Sequence, residues 1–238
     1  MNNKARNLEH RVGHSIFPGF NDKQGLMICG YEWGESKSDE KHNIENPDYK
    51  IDYSIECTFS NKRLRYGQDA DSWPYDRAIK KWFKHWGHPL DNENSPLEQD
   101  FQKSILQTNW LDEQNNNMDG RHTKQELIDN QEDFLDLIRQ YEPLLIIFVG
   151  SKLIQVLNNK AVLPQFEALM GARQSAYTEK SFGYRKPKFR FQSFQKCQVV
   201  CCPHPAYRGG ISDEYIDFFK PDMNQLIIEY KKSRGFKL

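Results

Sequence analysis

Apolar and polar positions alternate along the chain in blocks that predict strands and helices in turn. Leu26–Cys29 is a short apolar run closed by Gly30, Ser104–Asn109 reads as a second strand ending in Thr108–Asn109, and Leu144–Val149 is another apolar run. The last of these is continuous enough to predict a strand covered on both faces of a parallel sheet. Val199–Cys202 predicts the final core strand. Between them, Ile79, Trp82, Phe83 and Trp86 recur at helical spacing, which predicts an amphipathic helix over Tyr75–Trp86 ended by Gly87. Thr123 with Glu126 three residues later forms a capping-box pattern. It opens one helix whose apolar face is Ile128, Phe134, Leu135, Ile138 and Tyr141. Shorter helices are expected at Lys152–Asn158 and Pro164–Met170, and a hairpin or extended region at Tyr177–Phe194. Ser212 caps a helix that Pro221 interrupts, and Pro221 itself can start the last helix, to about Lys232. Residues 35–72 are polar and read as long loops with one strand near Tyr53–Phe59.

Strands alternating with helices predict an α/β fold with three layers, a mostly parallel central sheet carrying helices on both faces. A chain of 238 residues is expected to form one domain, its core spanning about residues 25–234 behind an irregular segment at 1–24. Ligands of such sheets bind at the carboxyl ends of the strands. Three of those ends here carry polar or turn residues: Gly30–Gly34, Thr108–Asn109 and His204–Pro205.

Composition narrows the setting. The N-terminal residues MNNKARNLEHR contain no secretory signal, and no apolar run approaches a membrane span, so a cytoplasmic protein is expected. Cys29, Cys57, Cys197, Cys201 and Cys202 are an odd, unpatterned set that fits reduced thiols. Cys197, Cys201, Cys202 and His204 lie close enough in sequence to raise zinc. Strand alternation, however, sends Cys197 and Cys201 one way and Cys202 and His204 the other, and there is no CxxC pair, so no metal is expected. Lys+Arg and Asp+Glu both number 33, so a nucleic-acid role must rest on local charge. Between Gly171 and Val200 the bases Arg173, Lys180, Arg185, Lys186, Lys188, Arg190 and Lys196 face a single acid, Glu179. They are interleaved with Tyr177, Phe182, Tyr184, Phe189, Phe191 and Phe194. That pattern suits a phosphate backbone and exposed bases, and it equally suits a solvated hairpin with one apolar face.

Three motifs carry candidate chemistry. In Gly30-Tyr31-Glu32-Trp33-Gly34 a tight turn aims one carboxylate, Glu32, from the end of a buried strand; a solvated acid in a loop is the plain alternative. Pro203 and Pro205 fix the backbone around His204, which suits a donor to a developing anion or a structural histidine in a turn. Asn109 ends a strand with one donor and one acceptor, matching the edge of a nucleobase.

Taken together and in this order, the motifs resemble the uracil-DNA glycosylase superfamily, whose first motif has forms such as GQDPY and GINPG and whose last is HPS. The resemblance spans roughly residues 25–220 through a few short motifs. It implies that the fold is the glycosylase fold, with Glu32 on the water-positioning acid or amide and His204 on the residue that stabilises the departing base. It further implies that Asn109 reads a flipped base in a pocket completed by Tyr31, Trp33, Gly34 and a stacking aromatic, Phe59 or Tyr75. Tyr207 and Arg208 fall on the loop that enters DNA, and Arg185, Lys186, Lys188 and Arg190 would meet phosphates. Trp33 stands where Pro is usual and Ala206 where Ser is usual, and Gly34 replaces the bulky Tyr of one branch, which admits a base larger than uracil. The paired cysteines of the iron–sulfur branches are absent, so no cluster or other cofactor is implied. DNA is the implied partner and N-glycosidic hydrolysis the implied reaction. A nucleic-acid binder without the chemistry, or an α/β enzyme of free nucleosides or nucleotides, remain open beside it.

Overall fold

A computed structural model describes residues 23–34, 58–90, 101–111, 114–115, 123–184, 187–205, 210–236 and 238. Its centre is a six-stranded, mixed, mostly parallel sheet. The strands are β1 (Leu26–Gly30), β3 (Ile105–Asn109), β5 (Leu145–Val149), β6 (Thr178–Ser181), β7 (Lys188–Ser193) and β8 (Gln198–Cys202), in the order β3-β1-β5-β8-β7-β6. The first four neighbours run parallel, and β7 and β6 join antiparallel as the hairpin expected from Tyr177–Phe194. A separate two-stranded parallel pair forms from β2 (Trp33–Gly34) and β4 (Gln114–Asn115).

Strand alternation builds two cores. Met27, Cys29, Leu106, Ile146, Phe148, Val199 and Cys201 face one way, toward α3 (Lys124–Asp129), α4 (Gln131–Tyr141), α5 (Leu153–Leu157) and α6 (Leu163–Met170). Leu26, Ile28, Ile105, Leu145, Ile147, Val149, Val200 and Cys202 face the other, toward α2 (Pro74–His85), α7 (Asp213–Phe218) and α8 (Lys220–Ser233). With every residue of β1 and β5 buried, these strands need helices on both faces, and that is why they read as unbroken apolar runs. Trp110 continues past β3 into the first core, stacked 4.1 Å from Phe134, with its indole N–H donating to the Leu127 carbonyl at 2.7 Å. In the second core Phe189 stacks on Phe219 at 3.9 Å and lies edge-on to Trp86. Phe189→Ala removes a fully buried ring from this cluster and is expected to cost about 3–5 kcal/mol of stability, read from urea unfolding.

Two expectations are corrected. The helix opened by Thr123 breaks at Asn130 into α3 and α4, because the Asn130 amide donates to the Glu126 carbonyl at 2.9 Å and caps α3. Its capping box is present, with Thr123 Oγ1 accepting from the Glu126 N–H at 3.1 Å. Within the stretch read as loop, residues 63–72 instead form α1 (Arg63–Tyr66) and a 3-10 turn, Gln68–Ser72, separated by Gly67 at φ +83°. Elements of four or five residues are too short to print an apolar period. Of the strand expected near Tyr53–Phe59, residues 53–57 lie outside the described residues, and Thr58 and Phe59 open a turn in which Asn61 N–H donates to Thr58 O at 3.3 Å. Among the described residues no helix is long and apolar enough to cross a membrane.

Candidate active site

β1 is flanked by β3 on one side and β5 on the other, so the chain reverses its direction of travel across the sheet at β1. Such a switch point opens a crevice at the carboxyl ends of the strands. The Gly30–Gly34 turn lies there. Its first carbonyls are held by the strand beside it: Trp110 N–H donates to Gly30 O at 2.9 Å and Leu111 N–H to Tyr31 O at 2.8 Å. Trp33 and Gly34 then pair with Gln114 and Asn115, so the turn runs alongside the exit of β3. The polar stretch that includes Asn115 gave no hint of this pairing in sequence.

The Asn109 amide, oriented with its nitrogen toward carbonyl oxygens, donates to Thr108 O at 3.1 Å and Glu32 O at 3.2 Å. It therefore ties the centre of the turn to the end of β3. A side chain at Gly30 would collide with this amide, which gives the glycine a steric reason. Glu32 and Asn109 are both buried.

Tyr31 points to the opposite side and packs against the first core. Its ring lies over Gly150, where a Cβ would stand 2.5 Å from Tyr31 Cζ, and its hydroxyl accepts from the Lys152 N–H at 2.9 Å. Burial pushes the Tyr31 phenol up to about 12, so it stays protonated. The same ring stacks on His204, with centroids 6.5 Å apart and planes 19° apart. Tyr75, from the first turn of α2, approaches His204 from another side at 6.2 Å. His204 is half-buried, and desolvation lowers its pKa to about 4, so near pH 7 the imidazole is neutral and carries one N–H donor.

Phe59 is buried, with Lys62 Nζ 4.6 Å from its ring centre. Nothing in the sequence around Lys62 marks it as a site residue. It reaches both carboxylate oxygens of Asp76 at 2.8 Å and the Gln107 amide oxygen at 2.5 Å. These three positions are far apart in sequence, and only the packing of α2 against β3 brings them together.

No family model and no curated protein matches the chain.

The remaining candidates divide. Trp33 and Gly34 are placed in β2 by their backbone. Lys188 and Arg190 lie on β7, and both bind Glu179 across the hairpin, at 2.5 and 2.7 Å. Arg190 also donates to the Ser151 carbonyl at 3.4 Å, which brings it to the edge of the Tyr31 seat. The aromatic residues between these bases turn inward: Phe189 and Phe194 are buried, and Phe182 and Phe191 pack against the second core. Phe182, Phe189 and Phe191 meet the second core, Phe194 and Tyr177 the first, and Tyr184 is exposed. Arg185, Lys186, Tyr207 and Arg208 lie outside the described residues.

Cys197 and Cys201 enter the first core with Cys29, and Cys202 enters the second. Burial raises the thiol pKa of Cys197, Cys201 and Cys202, that of Cys201 to about 11, which keeps these three as protonated packing groups. Among the described residues no group of His, Cys, Asp and Glu is arranged to hold a metal ion.

His88 shares the depressed pKa of about 4, through burial and then the nearby Lys231 charge. Both histidines titrate near 6.5 when unfolded, so between pH 6.5 and 4 the unfolded chain binds more protons than the folded one. Their contribution to stability is complete above pH 6.5 and is lost as pH falls toward 4, by up to about 1.4 kcal/mol per pH unit for each imidazole. Urea midpoints at pH 7, 5.5 and 4.5 should fall steeply for the wild type and less steeply for His88→Gln.

Proposed function

We propose that the protein is a DNA glycosylase with the three-layer fold of the uracil-DNA glycosylase superfamily, hydrolysing the N-glycosidic bond of a flipped uracil or modified base. The observation that carries the reading is His204: an imidazole kept neutral by burial, set between the rings of Tyr31 and Tyr75 beside the strand ends. A neutral imidazole donates a hydrogen bond without being an acid strong enough to protonate its surroundings. That is the property needed to stabilise an anionic base as it departs.

In this mechanism the target base leaves the helical stack and enters the crevice. The bond from C1′ to the base nitrogen breaks, and its electron pair leaves with the base. The His204 N–H donates to the base oxygen on which that charge accumulates. The Glu32 carboxylate stabilises the cationic sugar and orients a water, whose oxygen bonds to C1′ and whose proton passes to the carboxylate. Asn109 contacts the base edge while its nitrogen holds the Glu32 turn. Lys188 and Arg190 would exchange part of their pairing with Glu179 for phosphates.

The test is an assay on labelled oligonucleotides carrying uracil, hypoxanthine, a thymine mismatch or a bulky 5-substituted pyrimidine, with alkali cleavage to reveal abasic sites. The wild type should cleave at least one of them and Glu32→Gln should not. DNA binding without cleavage of any would replace this reading with a binder of the same fold.

A further inference from the structure

We infer that Gln107 is a specificity-determining residue of this site. Its amide is locked by Lys62 so that its NH2 group donates to a carbonyl oxygen on the bound base. The inference rests on the reading of the crevice as a base pocket.

β3 pairs with β1 in register, Gln107 beside Ile28 and Asn109 beside Gly30. Side chains two apart on a strand share a face, and Ile28 faces the second core, so Gln107 and Asn109 both lie on the α2 side of the sheet. Gln107 is thus one step deeper than Asn109 along the same wall. Asp76, which holds Lys62, directly follows Tyr75, whose ring meets His204.

A glutamine amide can ordinarily turn over, exchanging donor for acceptor at little cost. Here it cannot. The Lys62 ammonium has only donors, so the group facing it must be the Gln107 oxygen. Lys62 is itself fixed by two bonds to a carboxylate that is 3% exposed and by the Phe59 ring beneath it. A flipped amide would bring N–H against ammonium in a poorly solvated place. The Gln107 nitrogen is therefore fixed as a donor. It makes no hydrogen bond to another described residue and is not among the side-chain atoms sealed away from solvent without one.

Asn109 is fixed in the complementary sense. Its nitrogen is committed to Thr108 O and Glu32 O, which leaves its oxygen as the group to meet a ligand. The wall offers a donor from Gln107 and an acceptor from Asn109. A base edge bearing a carbonyl beside a ring N–H matches that pair. An edge bearing an exocyclic amino group beside an unprotonated ring nitrogen opposes it at both points. Lys62 acts on the base only through Gln107 and is a positioning residue.

The test uses the full chain and single-stranded oligonucleotides that differ at one position: uracil against cytosine, hypoxanthine against adenine. Abasic-site formation and binding by fluorescence anisotropy are both read. The wild type should favour each carbonyl base over its amino counterpart by about tenfold or more. Gln107→Met, similar in shape and without the donor, should lower that ratio by about threefold or more, the acceptor at Asn109 remaining. Gln107→Glu keeps Lys62 partnered, turns the donor into an acceptor, and should lower the ratio further, to about one, since each base then matches the wall at one point and opposes it at the other. Unchanged melting of Gln107→Glu shows that the fold is retained. A ratio unchanged in both variants overturns the assignment, as does a wild type without preference in either readout. If the wild type cleaves nothing, the glycosylase reading fails, and the anisotropy ratio alone then sustains or overturns the role of Gln107.

Discussion

Gly150→Ala should unseat Tyr31 and with it the stacking on His204. The added methyl would stand 2.5 Å from Tyr31 Cζ and 2.8 Å from its hydroxyl oxygen, distances that real side chains do not sustain. The ring cannot swing away without losing the Lys152 N–H bond to its hydroxyl. Overpacking of this kind costs about 1–3 kcal/mol, which for a chain of this size lowers Tm by several degrees. A double-mutant cycle identifies the cause. In a Tyr31→Ala background, Gly150→Ala should be close to neutral, because the methyl then enters space the ring has left. In a Tyr31→Phe background it should remain costly, since the ring is still there. Equal costs in all three backgrounds would mean that Gly150 is constrained by something other than Tyr31.

His204→Ala should lower the rate of base release by about 10²–10³-fold, the usual effect of removing a preorganised donor to a developing anion. Loss of ground-state binding alone would raise KM and spare kcat; loss of a donor engaged mainly in the transition state lowers kcat. The pH profile adds an independent check. With a pKa of about 4, His204 stays neutral down to mildly acidic pH, so its titration should not shape the rate between pH 5 and 8. A fall in rate below a pKa near 6.5 that disappears in His204→Gln would show that the imidazole is not buried as described.

Much of this organisation was legible in the chain because it depends on local pattern. β1, β5 and β8 are largely apolar runs buried on both faces, β3 opens on Ile105 and Leu106, and the turn or polar residues at Gly30, Asn109 and His204 mark the strand ends of the crevice. The capping box at Thr123 and the break before Pro221 are likewise written in neighbouring residues. The cluster of Lys62, Asp76 and Gln107 was not legible. A lysine between loop residues, an aspartate in a first helical turn and a glutamine in a strand each have ordinary solvated roles, and only tertiary packing converts them into one unit. Gly150 reads as the end of a strand, and nothing local says that a ring 119 positions earlier rests on it. The basic, aromatic hairpin is the ambiguous case: its composition suits phosphates and exposed bases or a solvated hairpin alike, and only the fold shows that Phe189 faces the second core while Lys188 and Arg190 meet Glu179.

The most direct measurement is mass spectrometry of the small molecules released when the wild-type protein is incubated with oligonucleotides carrying uracil, hypoxanthine or a 5-substituted pyrimidine. Free base, recovered in equal amount to abasic DNA and lost with His204→Ala and Glu32→Gln, is the predicted result. Intact DNA with no released base from any substrate, under conditions where the protein is folded and binds that DNA, would contradict it.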